Sequence, residues 1–478
     1  MHERISESSL PLIIQGGMGV AVSDWRLARA VSLRGQLGVV SGTGLDTVFV
    51  RRLQDGDIGG NLRRAMRQFP MPGVADAVLA RYFRPEGRAA GKPYELLPMY
   101  RQFVSRKREA LTMLAAFVEV FLAREGHHNP VGINLLTKVQ RPNIATLYGA
   151  MLAGVSYVLM GAGIPREIPG VLAALAKHQP ASLRYDVVGQ PSEEELRITL
   201  DPGEYWADLP PVLERPKFLA IVASNSLATM LARKTVGEID GFVIEGPTAG
   251  GHNAPPRGDA QLNARGEPVY GTRDEVDLAK IVELGIPFWI AGGAGSPEAL
   301  RDALSAGATG VQVGTLFAFA EESGLATELK QSLLASAGHG EIDVFTDPLA
   351  SPTGYPFKVV HWSGEPAAQH ERERVCDMGY LRVAYRTPEG RVDYRCPAEP
   401  VGAFVDKGGD IGDTVGRRCL CNALMANVGL PQLRKDGSLE PHLLTSGDDL
   451  RTIARFLRGR SRYFAADVID YLMAGTRR

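Results

Sequence analysis

Short apolar runs ending in Gly, Ser or Asn alternate along the first two thirds of the chain with stretches of helical period. This is the pattern of parallel βα units, whose strands are buried on both faces. Eight such runs occur: LIIQ (12–15), LGVV (37–40), VGINLL (131–136), YVLMG (157–161), FLAIVAS (218–224), GFVIEG (241–246), FWIAGG (288–293) and GVQVG (310–314). Eight is the number at which the common parallel barrel closes, so the predicted fold is α/β, a (β/α)8 TIM barrel. Candidate helices lie between the runs at Asp24–Leu33, Asn143–Ala153, Ile168–His178, Asp274–Leu284 and Ser296–Ala306, the last opened by a Ser-Pro-Glu start signal.

Three segments exceed an ordinary βα connection. Residues 45–130 form a long insertion after the second strand, with a helical pattern around Met99–Arg124, and are read as a lid or cap; their arginines Arg51, Arg52, Arg63, Arg64 and Arg67 are read as a solvated helix face and given no site. Residues 181–215 carry RYDVV and LRITL around PSEEE, an excursion containing a hairpin, and 253–273 is a Pro/Gly-rich loop. After about residue 335 the alternation stops. The expected organisation is therefore a barrel over 10–335 followed by an extension, 336–478, that holds all four cysteines.

Composition narrows the partners. A chain of 478 residues with 45% apolar positions has ample core, while 53 Lys+Arg against 54 Asp+Glu gives no field for steering onto nucleic acid or anionic lipid. A small-molecule substrate is the expectation, with no nucleic-acid or membrane partner. The start, MHERISESSL, has no apolar signal core, and no run approaches the roughly 18 residues of a membrane span, so a soluble, cytoplasmic protein is expected. Cys376, Cys396, Cys419 and Cys421 share one short window. A zinc or iron-sulfur site would explain the grouping, but the usual Cys-x-x-Cys pairs are missing, and reduced thiols packing the extension against the barrel are the preferred reading, with no metal assigned.

A barrel binds its ligand at the carboxyl ends of its strands, and there the sequence turns unusual. QGGMG (15–19) follows the first strand, AGGAG (291–295) the seventh and VGT (313–315) the eighth. Glycines let backbone amides approach a planar ligand or converge on a phosphate. No dinucleotide fingerprint or GxxxxGK[ST] is present, which favours a mononucleotide, flavin mononucleotide (FMN), over a dinucleotide. The sixth strand runs into EGPTAGGHN (245–253), projecting His252 from a loop of small residues. Histidine exchanges protons near neutral pH, so His252 is the candidate base. His127, His128, His361 and His370 have no comparable setting, and Glu245 is read first as a carboxylate binding loop amides and second as a catalytic group.

With QGGMG, GINLL, AGGH, AGGAG and VQVGTLF in this order over roughly 10–335, the chain resembles the nitronate monooxygenase family, the former 2-nitropropane dioxygenases, and the related flavin-dependent enoyl-acyl-carrier-protein reductase II. The resemblance implies an FMN barrel in which Gly17, Met18 and Gly19 line the flavin, Asn134 bonds to it, and Gly292, Gly293, Gln312, Gly314 and Thr315 serve its phosphate end. It implies that His252 removes the acidic proton of a carbon acid, which is then oxidised with dioxygen. The reductase alternative takes hydride from NAD(P)H and gives it to an enoyl thioester; a flavin-free phosphate-binding barrel is the second alternative. The sequence departs from many family members in placing Pro247-Thr248 where a glutamate directly precedes AGGH, and in its insertion and extension.

Overall fold

The computed structural model describes residues 10–191, 193–259, 261–338, 340–363, 365 and 372–474. The first nine residues of the N-terminal segment and His370 lie outside them. Eight parallel strands form the ring: β1 (Ile13–Gln15), β2 (Gly38–Ser41), β3 (Val131–Leu136) and β4 (Tyr157–Gly161), then, after a hairpin of β5 (Ala181–Arg184) and β6 (Arg197–Leu200), β7 (Lys217–Val222), β8 (Gly241–Glu245), β9 (Phe288–Ala291) and β10 (Gly310–Val313). The order is β1-β10-β9-β8-β7-β4-β3-β2, and Leu37 closes it by donating to Ile13 O (3.1 Å) and accepting from the N–H of Gln15 (2.9 Å). The fold is a (β/α)8 barrel, and each of the eight apolar runs supplies one strand of the ring.

The near-continuous runs have a direct cause. Val39, Leu159, Leu219, Val243 and Trp289 fill the barrel interior, while their neighbours Val40, Val158, Phe218, Phe242 and Phe288 pack outward in the core between strands and helices. Both faces are dry, so no polar alternation survives. Gln15 is the exception. Fully buried, it takes the Val39 N–H on Oε1 (3.0 Å) and donates from Nε2 to Ser23 Oγ (2.8 Å), tying β1 to β2 and to the turn between them.

Asp24 and Ser296 cap the helices Trp25–Leu33 and Pro297–Ser305, and Asn143–Leu152 and Ile168–Ala176 lie where the periodicity put them. The helix expected at Asp274–Leu284 is shorter, Leu278–Val282, because Asp277 caps it late and Thr272–Asp274 is a separate tight turn. The hairpin in 181–215 begins earlier than RYDVV, at Ala181.

Two pieces of the outer wall differ from the sequence expectation. The helix Arg106–Arg124 is not a lid: buried along most of its length, it packs between Trp25–Leu33 and Asn143–Leu152 as the outer helix of the second βα unit. Nor are the arginines all solvated. Arg51 is 1% exposed and donates to Leu430 O at 2.6 Å, and Arg52 pairs with buried Asp24 at 3.2 Å. At the other end of the chain, helix Ala465–Met473 packs on Trp25–Leu33 and Pro297–Ser305, closing the ring beside the four-residue helix Thr315–Ala318 that follows β10.

Between these ends the C-terminal segment forms two hairpins, β11 (Ile342–Asp347) with β12 (Phe357–Trp362) and β13 (Val383–Arg386) with β14 (Val392–Arg395). One link to the insertion is Tyr380, which donates to Oδ1 of Asp46 at a buried ion pair within the insertion: Arg108 Nη2 lies 2.5 Å from Asp46 Oδ2, and Tyr100 donates to the same oxygen (2.8 Å). Burial alone would raise the Asp46 carboxyl, but Arg108, Tyr380 and Tyr100 outweigh it and hold it below its ordinary value. A carboxylate held low contributes stability above its unfolded value of about 4, lost as pH falls through the folded value. Arg108→Met leaves that charge uncompensated and is expected to cost about 3–5 kcal/mol at pH 7 by chemical denaturation, the loss narrowing below about pH 4. An unchanged denaturation midpoint at pH 7 contradicts this.

Candidate functional site

The carboxyl ends of the strands open into a cavity of about 410 Å³. Its floor is the turn after β1. Ser23, fully buried, donates to Gly16 O (2.7 Å) and accepts from the Met18 N–H (2.9 Å), which holds Gly16–Gly19 flat across the barrel. A Cβ on Gly17 would stand 2.3 Å from Cβ of Asn134 and 2.9 Å from Val39 Cγ1, so only glycine fits. Asn134, at β3, donates to Gly17 O at 3.0 Å; its Oδ1 is buried without a partner, as is Oε1 of Gln312 on β10. A buried acceptor left unpaired costs about 1–3 kcal/mol. With Asn253 Oδ1, three residues lining the cavity carry an acceptor without a donor among the described residues.

Opposite lies the loop after β8. Gly251 (φ +77°) turns the chain so that residues 251–253 run beside the start of β12: Lys358 N–H donates to Gly251 O and Asn253 N–H to Pro356 O, both 2.9 Å. His252 thereby faces Phe357 edge-on at 4.9 Å, with Nε2 2.6 Å from Ser351 Oγ. Burial, with the nearby Lys138 cation, pushes the imidazole down to about 4, so it is neutral at physiological pH. Lys138 is itself pushed down to about 8 by burial, its ammonium 3.1 Å from the centre of the Tyr355 ring.

Glu245 opens onto the same cavity. No hydrogen-bond partner reaches its carboxyl among the described residues, which overturns the reading of a carboxylate tied to loop amides, and burial pushes it up to about 7. It and Asp449 are the carboxyl groups of the wall; among the described residues no Lys or Arg lines it, and His252 is the one imidazole.

At the third side Gly292 (φ +89°) and Gly293 (φ +67°) end β9, and Gly314 and Thr315 end β10. The C-terminal segment reaches in here. Thr315 Oγ1 accepts from Gly447 N–H (3.1 Å) and from Ser446 Oγ (3.3 Å), while Asp449 Oδ2 takes the Gly295 N–H at 3.1 Å. Burial raises Asp449, and the Gly295 bond offsets part of that rise.

The structure thus brings Gly17, Met18, Gly19, Asn134, His252, Gly292, Gly293, Gln312, Gly314 and Thr315 around one cavity. Sequence reasoning missed the roof: Tyr355, Phe357, Tyr380, Leu381, Leu424 and Met425 come from the C-terminal segment, as do Ser446 and Asp449. Of the cysteines, all free, Cys421 lines the cavity and Cys396 is buried; burial raises all four thiols, and among the described residues no group of three His, Cys, Asp or Glu is placed to hold a metal ion.

The fold and site define a parallel barrel with a roofed ligand cavity at its carboxyl face. Residues 208–348 match the nitronate monooxygenase family model, the resemblance first seen in the motifs, and the match supports an enzyme, a flavin-dependent oxidoreductase. Comparison with curated proteins finds no match. Solved structures that align include FabK from Thermotoga maritima (17% identity, 99% of this chain and 96% of that one, TM-score 0.46). Others are nitroalkane oxidase from Streptomyces ansochromogenes (15%, 97% and 95%, 0.45) and the enoyl reductase domain of MlnA from the macrolactin cluster of Bacillus amyloliquefaciens (11%, 97% and 93%, 0.46). At these scores they carry no weight for the reaction. No helix among the described residues is long and apolar enough to cross a membrane.

A carboxyl raised by folding favours the folded state while protonated, and that contribution is lost as pH rises through about 7. Glu245→Gln is therefore expected to melt above the wild type at pH 8 and level with it at pH 4. Equal melting temperatures at both pH values contradict the raised carboxyl.

Proposed function

We propose that the chain is an FMN-dependent oxidoreductase that oxidises a carbon acid, or its anion, with dioxygen. The observation that carries the reading is a neutral, half-buried imidazole that shares one cavity with a glycine floor. The residues fit the cofactor. Gly17 lets the turn after β1 lie directly against Asn134 and Val39, where any side chain would clash, and the orphan oxygens of Asn134 and Gln312 are acceptors for ring and ribityl donors. Gly292, Gly293, Gly314 and Thr315 would hold the phosphate with backbone and hydroxyl groups rather than cations. Bound there, the flavin supplies the electron acceptor.

The chain's own residues handle the proton. Nε2 of His252 is committed to Ser351, and Nδ1 has no partner among the described residues, leaving it to accept the substrate proton. The apolar roof limits solvation, which keeps the imidazole uncharged and its Nδ1 lone pair free at neutral pH while lowering its proton affinity. Glu245 favours a second reading: a carboxyl still half protonated near pH 7 is an acid, suited to protonating an enoyl thioester reduced at the expense of NAD(P)H.

Anaerobic mixing separates the two. Bleaching of the flavin absorbance by nitroethane or its nitronate, but not by NADH or NADPH, supports the first; rapid bleaching by a nicotinamide overturns it in favour of the second. His252→Asn should retain flavin and lose roughly a hundredfold to ten-thousandfold in turnover of neutral nitroethane, the usual share of a positioned base, with much less effect on the nitronate. Equal losses on both contradict the base. Gly314→Asp, which sets a carboxylate against the phosphate, should purify colourless; a fully yellow protein removes Gly314 from the cradle.

A further inference from the structure

A base in a roofed cavity must dispose of its proton before it can act again, and the surroundings of His252 offer a route. Ser351 is fully buried, and its Oγ lies 2.6 Å from His252 Nε2 and 2.8 Å from Thr353 Oγ1. Both are at hydroxyl hydrogen-bond length. Ser351 Oγ also accepts from the Thr353 N–H at 3.2 Å, and Thr353 Oγ1 from the Tyr355 N–H at 3.4 Å, so the backbone fixes both oxygens. Thr353 is half-exposed beside exposed Gly354. The hydroxyl pair therefore runs from a buried ring nitrogen to the surface.

We propose that Ser351 and Thr353 form a two-hydroxyl relay that carries the proton taken up by His252 out to solvent. The inference rests on the reading of His252 as the proton-exchanging group. A proton arrives from the substrate carbon on Nδ1; the proton on Nε2 passes to Ser351 Oγ, that of Ser351 to Thr353 Oγ1, and that of Thr353 to water. Each oxygen gains one proton and loses one, no electrons move, and the ring is left neutral with the substrate's proton on Nδ1. Once product leaves, Nδ1 gives that proton to water and one proton returns through Thr353 and Ser351 to Nε2, which resets the base. Ser351 alone suits either imidazole tautomer, since it can donate to a bare Nε2 or accept from a protonated one. The Lys138 ammonium adds to the drive: it donates to Thr353 O at 3.4 Å and raises the cost of an imidazolium left in place. Neither hydroxyl touches substrate, so both are positioning residues.

The test needs no turnover. In full-length protein carrying 15N-labelled histidine, the solvent exchange rate of the His252 imidazole proton is read by NMR. Thr353→Val keeps size at a half-exposed position and breaks the chain of hydroxyls; it is expected to slow exchange at least tenfold, with Thr353→Ser restoring the wild-type rate. Ser351→Thr, which keeps the hydroxyl, should also exchange at the wild-type rate. Wild-type exchange in Thr353→Val overturns the relay, as does slowing of equal size in Thr353→Ser. If exchange behaves as expected while His252→Asn loses equally on nitroethane and its nitronate, the relay stands and the base reading fails.

Discussion

A parallel barrel ends in a cup of strand termini that must be covered before electrostatics inside it can differ from those of water. In this chain the cover is covalently its own: the loop before β12, Tyr380–Leu381, the helix Leu420–Asn427 and residues 444–449 all reach over the carboxyl face. They are anchored on one side by the Asp46–Arg108 pair with Tyr380 and on the other by the bonds of Ser446 and Gly447 to Thr315. Backbone bonds between Gly251 and Asn253 and the start of β12 hold the loop after β8 to the same roof.

The shifted groups follow from that cover. Desolvation, which penalises the charged form of either, is the main cause that drives His252 down to about 4, with the Lys138 cation adding to it, and the sole cause that drives Glu245 up to about 7. With no Lys or Arg on the wall among the described residues, nothing offsets the penalty. The cavity consequently holds a neutral imidazole and a partly protonated carboxyl at neutral pH. A phosphate would depend on backbone amides and meet Asp449 nearby, a constraint that a cationic cradle would not impose.

The ring was legible because a two-sided strand leaves an uninterrupted apolar run, and the glycine turns because close backbone approach demands residues without a side chain. Gly17 shows this in three dimensions, as does the placement of His252 after β8. What escaped was long-range. Nothing local to Ser351 tells that it meets His252, 99 positions away. Arg51 and Arg52 look like solvated helix charges until Leu430 of the C-terminal segment and buried Asp24 meet them. The helix Arg106–Arg124 looks like a cap in the sequence because its distance from β2 conceals that it is the second unit's own helix.

The central claim is that this cavity holds FMN with its phosphate in the backbone cradle of β9 and β10. Titration of flavin-stripped protein, followed by quenching of flavin fluorescence, tests it most directly. The account predicts one FMN per chain and binding of riboflavin, which lacks the phosphate, weaker by at least tenfold. Failure of FMN to bind, or equal affinity for riboflavin, would contradict it.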